Sequence, residues 1–126
     1  MDEEIKNCRL CNLWKTRNNI VIGEGSLNAD IMFIGEAPGY YEDKEGRPFV
    51  GKAGKILDEL LNSVELKREE IYITNILKCR PPGNRDPLPE EIKACTPYLD
   101  KQIETINPGK ICTLGNFATN YIFSSF

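Results

Sequence analysis

The sequence predicts an α/β fold, a three-layer α/β/α sandwich in which a central parallel sheet carries helices on both faces. Short β-branched-rich runs at Ile31–Ile34, Ile71–Thr74 and Ile111–Leu114 are each bounded by polar or turn residues, the pattern of strands buried on both faces. The segments between and after them are longer and carry apolar residues at helical spacing. Strand and helix alternate three times, and parallel strands need a crossover helix to return the chain.

The first strand ends abruptly in Gly35-Glu-Ala-Pro-Gly39. Such an end exposes backbone N–H groups under almost no side-chain bulk, so a small planar or anionic group can approach closely. The spacing fits neither G-x-G-x-x-G nor G-x-x-x-x-G-K-[ST], and a plain tight turn is the competing reading. In the helix predicted over Gly54–Val64, Ile56, Leu57, Leu60, Leu61 and Val64 fall on one stripe. The helix over Pro89–Ile106 does the same with Ile92, Cys95, Leu99, Ile103 and Ile106. Pro87 and Pro89 suit its entry, Glu90 and Glu91 suit the positive end of its dipole, and Asn107-Pro-Gly109 closes it. A last helix is expected over Asn116–Phe123. Ligands of such sheets sit outside the carboxyl ends of the strands, which places Gly35–Gly39, Asn75–Arg80 and Gly115-Asn116 along one edge. Pro81–Pro87 is an irregular loop beside them.

A chain of 126 residues fits one domain, 1-126, around one core. With 40% hydrophobic and 28% charged residues it lies far from the composition of disordered chains. No run approaches the roughly 18 apolar residues of a membrane span, and the start Met1-Asp-Glu-Glu4 has the wrong charge for a signal peptide. A cytoplasmic protein with no membrane partner is expected. The net charge of −3 argues against a surface that grips nucleic acid everywhere. Two local basic groups stand out, Lys44, Arg47, Lys52 and Lys55 in one and Lys78, Arg80 and Arg85 in the other. They read as solvated faces unless both flank one site.

Cys8-Arg-Leu-Cys11 is a C-x2-C pair, and fifteen residues separate Cys79 from Cys95. Without an export signal a disulfide framework is not expected, so four thiolates in this arrangement suggest zinc or an iron–sulfur cluster. A compact zinc ribbon generally supplies a second close pair, whereas here the other two thiols come from a loop and a helix. The arrangement reads as a staple from the N-terminal segment to the loop after the second strand, with buried free cysteines as the alternative. Cys112, inside an apolar run, is expected to be buried and free.

Gly35-Glu-Ala-Pro-Gly39, Glu42-Asp43, Gly46-Arg-Pro-Phe-Val-Gly51-Lys-Ala-Gly54 and Ile73-Thr-Asn-Ile-Leu-Lys-Cys-Arg-Pro-Pro82, with cysteines at 8, 11, 79 and 95, closely resemble the family 4 uracil-DNA glycosylases. The match runs from Cys8 to about Tyr121, with several motifs in one order. It implies the uracil-DNA glycosylase-like α/β/α fold and a [4Fe-4S] cluster on Cys8, Cys11, Cys79 and Cys95, with zinc second. It also implies removal of uracil from DNA in base excision repair.

These residue types suit that chemistry. Asn75 offers an acceptor and two donors, which complement uracil N3–H and O4 and mismatch cytosine. By the resemblance Phe49 is the ring on which uracil stacks, Gly35 and Ala37 line the pocket, and Glu42 lies near the uracil C5 edge, where it excludes the thymine methyl. Glu36 is expected to support the turn or the water position. Where family 1 enzymes carry a water-positioning aspartate, this chain has Ala37, so catalysis is expected to rest on backbone N–H groups and DNA phosphates. Lys52, Arg80 and Arg85 are the residues expected to hold those phosphates.

The chain contains no histidine. Family 4 enzymes carry a His-Pro-centred loop near the C-terminus, followed by further structure, and Ser124-Ser-Phe126 precedes where that segment would fall. A truncated chain is therefore expected, and an inactive iron–sulfur fragment that binds uracil or DNA is the alternative to an enzyme. A monomer acting on single- or double-stranded uracil-containing DNA is expected. Recruitment by a sliding clamp leaves no mark in the sequence.

Overall fold

The computed structural model describes residues 5–125. Among them β1 (Glu24–Gly25), β2 (Ile31–Gly35), β3 (Tyr72–Asn75) and β4 (Lys110–Thr113) form one sheet in the order β1-β3-β2-β4. β2 runs parallel to both neighbours, with Phe33 opposite Ile73 on one side and Cys112 on the other. The expected parallel centre is therefore present. The sheet as a whole is mixed, because β1 runs antiparallel to β3. A Cβ on Gly25 would lie 1.9 Å from the Ile71 carbonyl oxygen, so only glycine admits this pairing.

α1 (Tyr40–Glu45) follows β2, and α2 (Lys52–Ser63) leads toward β3. α3 (Pro89–Ile106) and α4 (Asn116–Ser125) flank β4 in the chain. Successive residues of β2 feed opposite layers, as a pleated strand requires. Met32 and Ile34 join a core that includes Tyr72, Leu99, Ile106 and Ala118, which brings in α3 and α4. Phe33 joins Leu57, Leu61, Ile71 and Ile73, which brings in α2. Three layers result.

Three expectations change. Of the stripe on α2 only Leu57 and Leu61 are buried, while Ile56, Leu60 and Val64 are exposed, because the α2-side core takes one i, i+4 line of that helix. β4 is not buried on both faces: among the described residues it pairs with β2 alone, Lys110 and Cys112 are exposed, and the buried Cys112 is corrected to an exposed thiol on the outer strand. Lys78 is not a surface cation. It is 1% exposed and lies within the core, which separates it from Arg80 and Arg85.

Candidate active site

The parallel register sets Gly35 opposite Asn75 at the tips of β2 and β3. A Cβ on Gly35 would lie 2.5 Å from Asn75 Oδ1 and 2.5 Å from Phe49 Cζ. The strand tip is bare so that a carboxamide and a phenyl ring can converge over it. Phe49 adopts φ 51, a left-handed conformation costly for an aromatic residue. Its backbone is pressed against α2, where a Cβ on Gly54 would lie 1.9 Å from the Phe49 carbonyl oxygen.

Arg68 holds this loop. Its guanidinium donates to the carbonyls of Pro48 at 2.8 Å and Phe49 at 2.9 Å, and it pairs with Asp58 at 3.0 Å and Glu24 at 3.3 Å. Glu24 also accepts two 2.8 Å bonds from Arg47, and the Arg47 hydrogen bond is the main reason its carboxyl sits below the usual range. Arg47, from the first basic group, is thus bound within the protein.

Ala37, Glu42, Phe49, Ala53 and Asn75 line one pocket at this edge. Glu42 accepts from the N–H groups of Gly39 at 2.9 Å, Val50 at 3.0 Å and Gly51 at 2.8 Å. One carboxylate thereby ties the Gly35–Gly39 turn to the Phe49 loop, so the turn support expected of Glu36 is supplied by Glu42. Glu36 is half-buried, and desolvation, with the charge of Asp86 second, raises its pKa. It is not among the residues lining the pocket. Lys52 is exposed at the first position of α2, next to Ala53.

Behind the pocket, Lys78 Nζ donates to the Asn75 carbonyl at 2.6 Å and to Thr74 Oγ1 at 2.7 Å. Thr74 Oγ1 donates in turn to the Ile22 carbonyl at 2.8 Å, which Gln102 Nε2 also reaches at 2.8 Å. Burial lowers the Lys78 pKa to about 8.

On the other side of Lys78, Cys8, Cys11, Cys79 and Cys95 line one cavity together with Leu13, Arg17 and Tyr98. Cys95 Sγ accepts from the Lys78 N–H at 3.2 Å. Arg17 donates to Cys79 Sγ at 3.3 Å and to the Cys8 carbonyl at 2.7 Å. Desolvation is the main cause that raises the Cys11, Cys79 and Cys95 thiols, the last to about 11. No three His, Cys, Asp or Glu side chains among the described residues stand where they could hold a metal ion as a group.

Arg80 and Arg85, both half-buried, differ. Arg80 Nε donates to Asn84 Oδ1 at 2.8 Å and its guanidinium lies 5.6 Å from the Tyr40 ring centre. Arg85 is engaged by both oxygens of buried Glu91, at 2.9 and 2.7 Å. A DNA phosphate would have to compete with that carboxylate.

The family model of the uracil DNA glycosylase superfamily matches residues 22–125, a span that holds β1 to α4 and every residue of the pocket. The chain belongs to the uracil DNA glycosylase superfamily. Within it, the chain is 57% identical over 123 residues to a type-4 uracil-DNA glycosylase of Sulfurisphaera tokodaii, covering 97% of this chain and 56% of that protein. It is 56% identical to the type-4 enzyme of Archaeoglobus fulgidus, over 98% of this chain and 62% of that one. The type-4 enzyme of Thermotoga maritima is 51% identical, over 96% of this chain and 63% of its own length. The chain thus spans about three fifths of these uracil-DNA glycosylases. No helix among the described residues is long and apolar enough to cross a membrane.

Sequence reasoning missed Arg68 and the inward-facing Lys78. Arg68 lies 19 residues from Phe49, with no local pattern joining them. For Lys78 a signal existed, since Ile76-Leu77-Lys78-Cys79 continues the apolar run of β3.

Proposed function

We propose that the chain recognises deoxyuridine turned out of DNA and hydrolyses its N-glycosidic bond, leaving an abasic site as the first step of base excision repair inside the cell. The observation that carries this reading is the convergence of Asn75 and Phe49 over Gly35. Uracil stacks on Phe49, and the Asn75 carboxamide pairs with N3–H and O4. Glu42 faces the ring edge while its oxygens remain occupied by three backbone N–H groups. The C1′–N1 bond breaks with its electron pair leaving on uracil N1, water adds to C1′, and the water proton passes to solvent. Ala37 cannot activate that water. Pro38 has no N–H and that of Gly39 is taken by Glu42, so the rate enhancement comes from the Glu36 and Ala37 N–H groups of the turn around the uracil anion and from DNA phosphates beside the sugar cation. Single-stranded DNA presents the base at least cost in unstacking, and duplex DNA is a second substrate for the same monomer.

Cys8, Cys11, Cys79 and Cys95 would hold a [4Fe-4S] cluster in the cavity they line. Zinc on the same four thiolates is the second reading. Such a cluster, held by the four cysteines as thiolates, would cross-link the N-terminal segment to the loop after β3 and to α3.

The test is uracil release from a single-stranded oligonucleotide, followed by alkaline cleavage, for the wild type and Asn75→Ala. Release that falls at least a hundredfold in the variant supports the reading. Equal release by both, or none from folded, iron-loaded wild type, rejects it.

A further inference from the structure

Tyr40 and Tyr41 open α1 beside the pocket, 53% and 57% exposed. Neither belongs to a core cluster. Their rings meet edge to face, with centroids 5.2 Å apart and planes at 88°. Tyr41 borders the pocket wall, since a Cβ on Gly51 would lie 3.3 Å from Tyr41 Cδ2 and 3.2 Å from Glu42 Oε2. Tyr40 reaches the other way, to the Arg80 guanidinium on the loop after β3. Two exposed rings and a cation therefore bridge the base pocket and the cysteine loop.

Of the three acids of α1, Glu45 is exposed at the last position of the helix, away from the tyrosines that open it, and the other two are engaged by the protein. Glu42 is bound by three backbone N–H groups. Asp43 is 1% exposed and accepts from Asn18 at 2.8 and 2.7 Å and from Asn19 at 3.2 Å. Exposed aromatic rings with an arginine beside them are how proteins receive unpaired bases: the ring stacks and the guanidinium meets the phosphate.

We propose that Tyr40 and Tyr41 form a stacking platform for the nucleobase next to the extruded uracil in single-stranded DNA, with Arg80 on the adjoining phosphate. The platform rests on the reading of the neighbouring pocket as the uracil site. It makes the chain a reader of the flanking strand as well as of the lesion.

The test measures equilibrium binding of fluorescent single-stranded oligonucleotides with a central uracil to the wild type, Tyr40→Ala, Tyr41→Ala and the double variant. The same strands are then used with a baseless spacer on each side of the uracil. The double variant is expected to bind the ordinary strand about tenfold more weakly and the spacer strand as well as the wild type does. Tyr41→Trp restores binding, and Arg80→Ala flattens the salt dependence while the tyrosine variants leave it unchanged. Unaltered binding by the double variant overturns the platform, as does an equal loss on both strands. A uracil-free strand separates the two readings: failure of the uracil pocket shows as equal affinity with and without uracil, whereas the tyrosine effect persists on both.

Discussion

The ammonium of Lys78 lies 2.6 Å from the carbonyl oxygen of Asn75, so a fully buried cation supports the backbone of the residue that faces the pocket. With a pKa of about 8 the group is mostly protonated at neutral pH, and it spends its donors on Asn75 and Thr74. Its own backbone N–H meets Cys95 Sγ. One residue thus joins the cysteine cavity to the strand tip.

Replacing Lys78 by methionine keeps the volume and removes the donors. Lys78→Met is expected to weaken binding of a uracil-containing strand about tenfold, equivalent to about 1.4 kcal/mol. If the lysine acts through Asn75, the loss disappears when Lys78→Met is made in Asn75→Ala. Additive losses would show general loosening of the core.

Arg68 secures the loop that carries Phe49 in its left-handed conformation. Arg68→Ala leaves the Pro48 and Phe49 carbonyls without their donor and is expected to cost about 2 kcal/mol in thermal unfolding. Uracil-strand affinity should fall with it, because the ring loses its support. A variant that melts lower yet binds uracil DNA normally would show that Phe49 keeps its place without Arg68.

The Arg85–Glu91 pair gives a pH signature. The Arg85 hydrogen bond is the main cause that holds the Glu91 carboxyl below its ordinary value. The unfolded chain then binds more protons, so this stability is complete above the ordinary carboxylate range, near 4.5, and drains away as pH falls through the folded value. The difference in melting temperature between the wild type and Glu91→Gln should be largest near pH 7 and shrink below pH 4. A difference independent of pH would show that the charge on Glu91 adds nothing.

Elemental analysis separates iron from zinc in the cysteine cavity. Protein loaded anaerobically with iron and sulfide should hold both together with visible absorbance, and Cys79→Ala should lose iron, sulfide and thermal stability. Stoichiometric zinc in their place would assign the cavity to a single metal.

Much of this was legible because periodicity carries it. β2 and β3 announce themselves as apolar runs, and α3 by its stripe and the prolines and glutamates at its start. α1 has no such signal: Glu42 and Asp43 turn inward to bind backbone and amide groups, so polar contacts fix the helix. The exposure of Cys112 depended on which strand lies beside β4, and a run of four residues does not encode its neighbour. Gly35, Asn75 and Phe49 could be singled out from motifs. Their meeting over one bare Cα depends on the register of β2 with β3 and on Arg68, both long-range.

The most direct measurement is the ratio of affinities for single strands that differ only in a central uracil or cytosine, in the wild type and in Asn75→Asp. The aspartate keeps the size of the side chain and removes the N–H donors that uracil O4 needs. A uracil preference in the wild type that collapses in Asn75→Asp is the predicted result. A ratio that Asn75→Asp leaves unchanged would contradict base reading by Asn75.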